Sequence, residues 1–112
     1  MTDDKKTYKV TSFNQMGGIT AGQVNIGALP RQLDTTGRGQ LRSNIPKDKK
    51  VTVVAVMGDG EAFQYAKQIR DFLQDDGYDV SGVDQAVYSE PVVGQGIVQK
   101  GDRYEVVIGT RQ

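Results

Sequence analysis

The chain contains no cysteine and no histidine. That gap removes thiolate and imidazole metal ligands, a nucleophilic cysteine and the Ser-His-Asp type of hydrolase together, and zinc sites with them. Absence of cysteine also fits a reducing compartment. No apolar run approaches the ~18 residues that a membrane-spanning helix needs, and Met1-Thr2-Asp3-Asp4-Lys5-Lys6 is not followed by the apolar stretch of a signal peptide. The expectation is a soluble, cytoplasmic protein without membrane contact.

Apolar material is scarce as well. Hydrophobic residues make up 37% and aromatics 7%, against 14 glycines among 112 residues. A chain of this length supports one hydrophobic core rather than two. Most of what could build that core lies after Val51.

Net charge is zero, from 14 basic and 14 acidic residues, but the signs are segregated. Residues 1–50 hold nine Lys or Arg against four Asp, for +5, and residues 51–112 hold five against ten, for −5. Such asymmetry marks an electrostatic partner, either an anion for the first half or the second half of a neighbouring copy. The plainer reading is that loops and tails collect lysine.

What is present reads most clearly from Val51 onward. Val51-Thr-Val-Val-Ala-Val-Met57 is apolar at nearly every position, which predicts a central strand buried on both faces. Ala62, Phe63, Ala66, Ile69, Phe72 and Leu73 then recur at three- and four-residue steps. They predict an amphipathic helix over Glu61 to Asp75, capped by Asp59 and stopped by Gly77. Tyr78 to Tyr88 predicts a second strand, parallel to the first, with a bulge near Gly82. Glu90-Pro91 breaks it. Gly96–Lys100 and Arg103–Gly109 flank Gly101-Asp102 as a closing hairpin. The order is β-α-β-β-β with one main helix, an α/β fold with α+β as the variant.

The first half differs in kind. Thr7 to Thr11 predicts a short strand, Ser12 to Gly27 is an extended β-type segment carrying four glycines, and Gln40 to Ile45 predicts a helical turn or two before Pro46. Two regions follow: a Gly-rich stretch over residues 1–46 and a small α/β domain over 47–112.

A strand buried on both faces needs cover on both, and the sequence offers one good helix. The second cover is the 36–45 segment, the N-terminal strand region folded back, or a second copy. Small-residue β segments have weakly specified register and suit pairing between chains. We therefore expect a homo-oligomer that meets through Asn14, Gln15, Gly17, Gly18, Ile19, Val24 and Ile26. In it, Asn14 and Gln15 either form amide ladders between copies or bond locally in a turn.

The phrases NQMGGITAGQVNIG over Asn14 to Gly27, LPRQL, VTVVAVMGDGEAFQYAKQI and the closing VVIGTR together span most of the chain. They resemble a group of uncharacterised bacterial proteins that share an Asn-Gln-x-Gly-Gly-Ile-Thr-Ala segment ahead of a small α/β region. The resemblance implies a bacterial origin. It carries no activity, cofactor or catalytic residue.

Gly58-Asp59-Gly60-Glu61 lies between a buried strand and a helix start, where open α/β sheets hold phosphates. It matches neither G-x-G-x-x-G nor G-x-x-x-x-G-K-[ST], and its two acids repel a phosphate, so an ordinary capped turn is the plainer reading. Asp71, Asp75, Asp76 and Asp79 crowd the helix end but match no calcium-loop spacing, and no metal site is expected. Arg31, Arg38, Arg42, Lys47, Lys49 and Lys50 are not interleaved with aromatics, and nucleic acid is not expected as a partner. Two functional expectations remain, and no cofactor is expected. One is a non-enzymatic, self-associating module that presents its α/β half to a protein partner. The other is a domain that binds a phosphate or nucleotide ligand at Gly58 to Glu61.

Overall fold

The computed structural model describes residues 8–13 and 30–111. In chain order the elements are β1 (Tyr8–Ser12), α1 (Thr35–Asn44), β2 (Lys50–Val56), α2 (Gly60–Asp75), β3 (Asp79–Ala86), β4 (Gln95–Lys100) and β5 (Arg103–Ile108). They form a small α/β domain: two helices and a mixed sheet whose four-strand body runs β4-β5-β2-β3, with β1 alongside β4. Strand β2 pairs in parallel with β5 on one side and β3 on the other, while β4 is antiparallel to both β5 and β1.

Alternation along β2 decides how the layers stack. Val51, Val53 and Ala55 point one way and are at most 1% exposed. On α2, Ala62, Tyr65, Ala66, Ile69 and Leu73 form the matching buried stripe. Each large aliphatic side chain removed from water there contributes roughly 1.5–3 kcal/mol before entropy is subtracted. The helix ends where its sequence says it should. Asp59 accepts the Ala62 N–H at 3.0 Å, and past Asp75 the Tyr78 N–H reaches the Leu73 carbonyl at 3.0 Å with Gly77 at φ +95°. That pairing, with Gly77 N–H on Gln74, closes the last carbonyls in a Schellman turn.

Two expectations need correction. The sequence indicates one main helix, with only a turn or two at Gln40 to Ile45, yet α1 is a ten-residue helix that begins at Thr35. Gly37 and Gly39 each weaken a helix by about 1 kcal/mol relative to Ala, which hides it from a propensity reading. Its stability comes from elsewhere. The Asp34 carboxylate caps the Gly37 N–H at 2.7 Å, and Leu41 and Ile45 enter the same core as Val51, Leu73 and Tyr78. The Tyr78 hydroxyl donates to the Ile45 carbonyl at 2.7 Å, so α1 and α2 share one layer on one face of the sheet.

The second correction concerns cover. Among the described residues no helix lies on the face of β2 that carries Thr52, Val54 and Val56. Thr52 and Val56 are half-buried and Met57 is 54% exposed. Val54 is nonetheless 5% exposed. Its register neighbours on the same face are Val107 of β5 and Asp84 of β3.

Gly82 sets the edge of the sheet. Pairing of β2 with β3 slips by one residue between Val53 and Val54, and Gly82 sits at φ +114°, where a Cβ would run into the Val53 carbonyl oxygen. The result is a bulged outer strand.

Candidate functional site

The segregated charges find their partners within the chain. Arg31 pairs with Glu61 at 2.7 Å, Arg42 and Lys47 with Asp76 at 3.0 and 3.4 Å, and Lys50 with Asp79 at 3.0 Å. In each pair a cation from the first half meets an acid from the second. Asp76 is held below the usual carboxylate range chiefly by its hydrogen bonds from Arg42. Asp71, Asp76 and Asp79 are thus paired with separate cations, Asp71 with Arg70 at 2.8 Å. Among the described residues no group of three or more acids is placed to hold a metal ion.

One of these pairs is unlike the rest. The Arg31 side chain is 5% exposed and that of Glu61 17%. They meet at the end of the sheet where parallel β2 and β5 finish and α2 starts, the usual ligand position in open α/β folds. Glu61 Oε1 accepts from Arg31 Nη2 at 2.7 Å, while its Oε2 accepts both Arg31 Nε and the Arg31 backbone N–H at 2.9 Å. Nη2 also donates to the Gly109 carbonyl at 2.7 Å; Nη1 donates to Gln95 Oε1 at 3.0 Å and the Gly94 carbonyl at 3.4 Å. The Tyr65 ring lies 4.9 Å from the guanidinium carbon. A guanidinium has five N–H donors, and all are used.

Burial of this pair would raise the Glu61 pKa, but the hydrogen bonds from Arg31 outweigh it and hold the carboxyl below its usual range. Neighbouring contacts fix the arrangement. Gln95 Nε2 donates to the Phe13 carbonyl at 2.6 Å, so one amide touches both Phe13 and Arg31. Gln68, two turns along α2 from Glu61, accepts the Leu33 N–H at 3.0 Å. Residues 31–33 are laid along the helix by side chains of the helix itself.

The structure therefore places the turn residues as follows. Gly58 and Gly60 are exposed, Gly58 at φ +91°. Asp59 faces the helix N–H groups as a cap, and Glu61 faces Arg31. Sequence reasoning did not single out Arg31, Tyr65, Gln95 or Gly109. Arg31 stood out only as one of six cations, and the charge asymmetry was the one signal that it had an acidic partner. Asn14, Gln15, Gly17, Gly18, Ile19, Val24 and Ile26 lie outside the described residues.

A second feature occupies the helix-free face. β3 ends at one side of the sheet and β4 begins beyond β2 and β5, so residues 87–94 cross the strand ends between them. Val92 is held to the end of β5 by the Thr110 N–H at 2.9 Å, and Gly109 packs so closely on Val92 that a Cβ would meet its carbonyl oxygen. Between this crossing and the β4–β5 face lies a cleft of about 310 Å³. Tyr88, Val93, Val98 and Val107 line it, with the Lys100–Glu105 pair at 3.0 Å. Burial raises the Tyr88 pKa and the charge of Glu105 adds to the rise.

No protein-family model, curated protein or solved structure matches the chain. No helix among the described residues is long and apolar enough to cross a membrane. What the domain does has to follow from its geometry.

Proposed function

We propose that the protein is a non-enzymatic interaction module that self-associates, with the helix-free face of its sheet as the contact surface. The observation that carries this reading is the apolar half of that face. Val98 and Val107, both half-buried, line the cleft there, and Val93 and Tyr88, 54% and 37% exposed, stand at its rim. Exposed apolar surface grouped in this way and rimmed by polar residues favours association.

Charge favours a second copy as the occupant. The same face carries Lys50, Lys100 and Arg103 against Asp79, Asp84 and Glu105, three of each sign. A neutral, mixed face selects neither nucleic acid nor an anionic membrane, and it does not repel its own copy; the whole chain is also neutral. The β3 edge is a poorer route. Its bulge interrupts the ladder, Arg70 takes the Gly82 carbonyl at 3.3 Å, and Asp79 and Asp84 are exposed along it.

Size sets the strength. Four strands ~4.8 Å apart, each contributing about six residues at ~3.3 Å, span roughly 20 by 20 Å. That footprint is below the ~800 Å² per partner of a standard interface, so assembly is weak and concentration-dependent. A phosphate ligand at Gly58 to Glu61 finds less support, because Asp59 already holds the Ala62 N–H and the Arg31 donors are used. Sedimentation of the full chain across the micromolar range tests the proposal. Average mass should rise with concentration; a monomer mass throughout would overturn it.

A further inference from the structure

We propose that Glu61, Gln95, Tyr65 and the carbonyls of Gly94 and Gly109 form a preformed receptor for a guanidinium group, occupied in the native chain by Arg31. The receptor does not depend on the association proposed above, although Gly94 and Gln95 also border the cleft on the helix-free face.

The argument rests on who supplies the acceptors. None belongs to the segment that carries Arg31. Glu61 and Tyr65 come from the first two turns of α2, Gln95 from the start of β4 with Gly94 just before it, and Gly109 from just past the end of β5. Glu61 keeps the Arg31 backbone N–H at 2.9 Å when the side chain is removed, and each of the others is fixed by a contact that does not involve Arg31. Tyr65 is 1% exposed inside the core. Gln95 is oriented by its bond to the Phe13 carbonyl at 2.6 Å. Gly94 and Gly109 are tied together by the Gly109 N–H on the Gly94 carbonyl at 2.7 Å, and Gly94 N–H reaches Thr110 at 2.8 Å. Removing the Arg31 side chain therefore leaves the acceptors standing around an empty, charged socket.

Its chemistry is selective. One carboxylate placed side-on, three further acceptors and an aromatic ring match a flat, five-donor cation that pairs in bidentate fashion and lies over a ring. An ammonium ion has three donors in a cone and cannot meet acceptors spread around a plane. The strands meet here at the end where α/β sheets usually hold ligands, and in this chain that position takes a cation.

The test uses Arg31→Ala in the full chain, melted with methylguanidinium chloride, methylammonium chloride or sodium chloride. Methylguanidinium should raise the Tm of the variant saturably in the millimolar range, by about 5 to 10 °C at ten times its half-saturating concentration. It should leave native protein unmoved, and adding Glu61→Gln should abolish the gain. An equal rise with methylammonium or sodium, an equal rise in native protein, or no rise would overturn the proposal. If Arg31→Ala is unfolded alone, methylguanidinium should restore a cooperative melt, and failure to do so counts equally against a preformed socket. In native protein one arginine Nε–H should exchange with solvent far more slowly than the others and lose that protection in Glu61→Gln. Uniformly fast exchange would contradict the buried receptor.

Discussion

Replacing Glu61 by Leu should be among the most damaging single substitutions outside the apolar core. The change keeps a side chain of similar size but leaves the Arg31 guanidinium, 5% exposed, without its counter-charge. Removing one partner of a buried ion pair costs about 3–5 kcal/mol. Arg31 retains the Gly94 and Gly109 carbonyls and Gln95, which places the expected loss near the lower end, about 3 kcal/mol. Against a total stability of about 5–15 kcal/mol, that is a fifth to a half or more of what holds the domain together. The assay is urea unfolding of four proteins: native, Glu61→Leu, Arg31→Met and the double variant. Because the double variant has no orphaned charge, it should be more stable than either loss added to the other, giving a coupling of at least about 1 kcal/mol. Losses that simply add, or a Glu61→Leu midpoint equal to native, would refute the reasoning.

The same pair sets an acid limit. Arg31 holds the Glu61 carboxyl below its ordinary range in the folded state. A depressed folded pKa means that the unfolded chain takes up the proton first. The stabilisation is thus fully present above the ordinary carboxylate range and is lost as pH falls through the lower, folded value. Glu61→Gln should flatten that part of the stability curve. Asp59→Ala removes the cap on the Ala62 N–H and should cost about 1 kcal/mol in urea unfolding, with β2 and the core otherwise intact. Gly109→Ala drives a methyl into the Val92 carbonyl and should cost about 1–3 kcal/mol; a neutral melt would mean that the crossing is not seated there.

How much of this was visible in the sequence depends on how local the cause is. β2 and α2 could be read because their determinants are adjacent: a branched apolar run, an Asp before the first helical turn, a 3.6-residue period and Gly77 after it. α1 could not, since Gly37 and Gly39 weaken it locally and Leu41 and Ile45 support it only through Val51, Leu73 and Tyr78, which arrive later in the chain. The unbroken apolar run of β2 suggested cover on two faces. In the structure both described helices lie on one face, and Val54 on the other is still only 5% exposed. The Arg31 receptor draws on partners 30 to 78 residues away, and no spacing rule joins such positions. Only the opposite charges of the two halves hinted at it, and they could not say which cation meets which acid.

The central claim is that the helix-free face joins copies of this chain. The most direct measurement is sedimentation of native protein beside Val93→Lys/Val98→Lys, with Asp79→Lys as an edge control. Val93 is 54% exposed and Val98 is half-buried at the cleft wall, where a lysine stem can lie along the cleft with its charge in water, so circular dichroism should be unchanged. The account predicts that native protein and Asp79→Lys gain mass with concentration while Val93→Lys/Val98→Lys stays monomeric. Equal mass gain in the face variant, or a monomer in every sample, would contradict it.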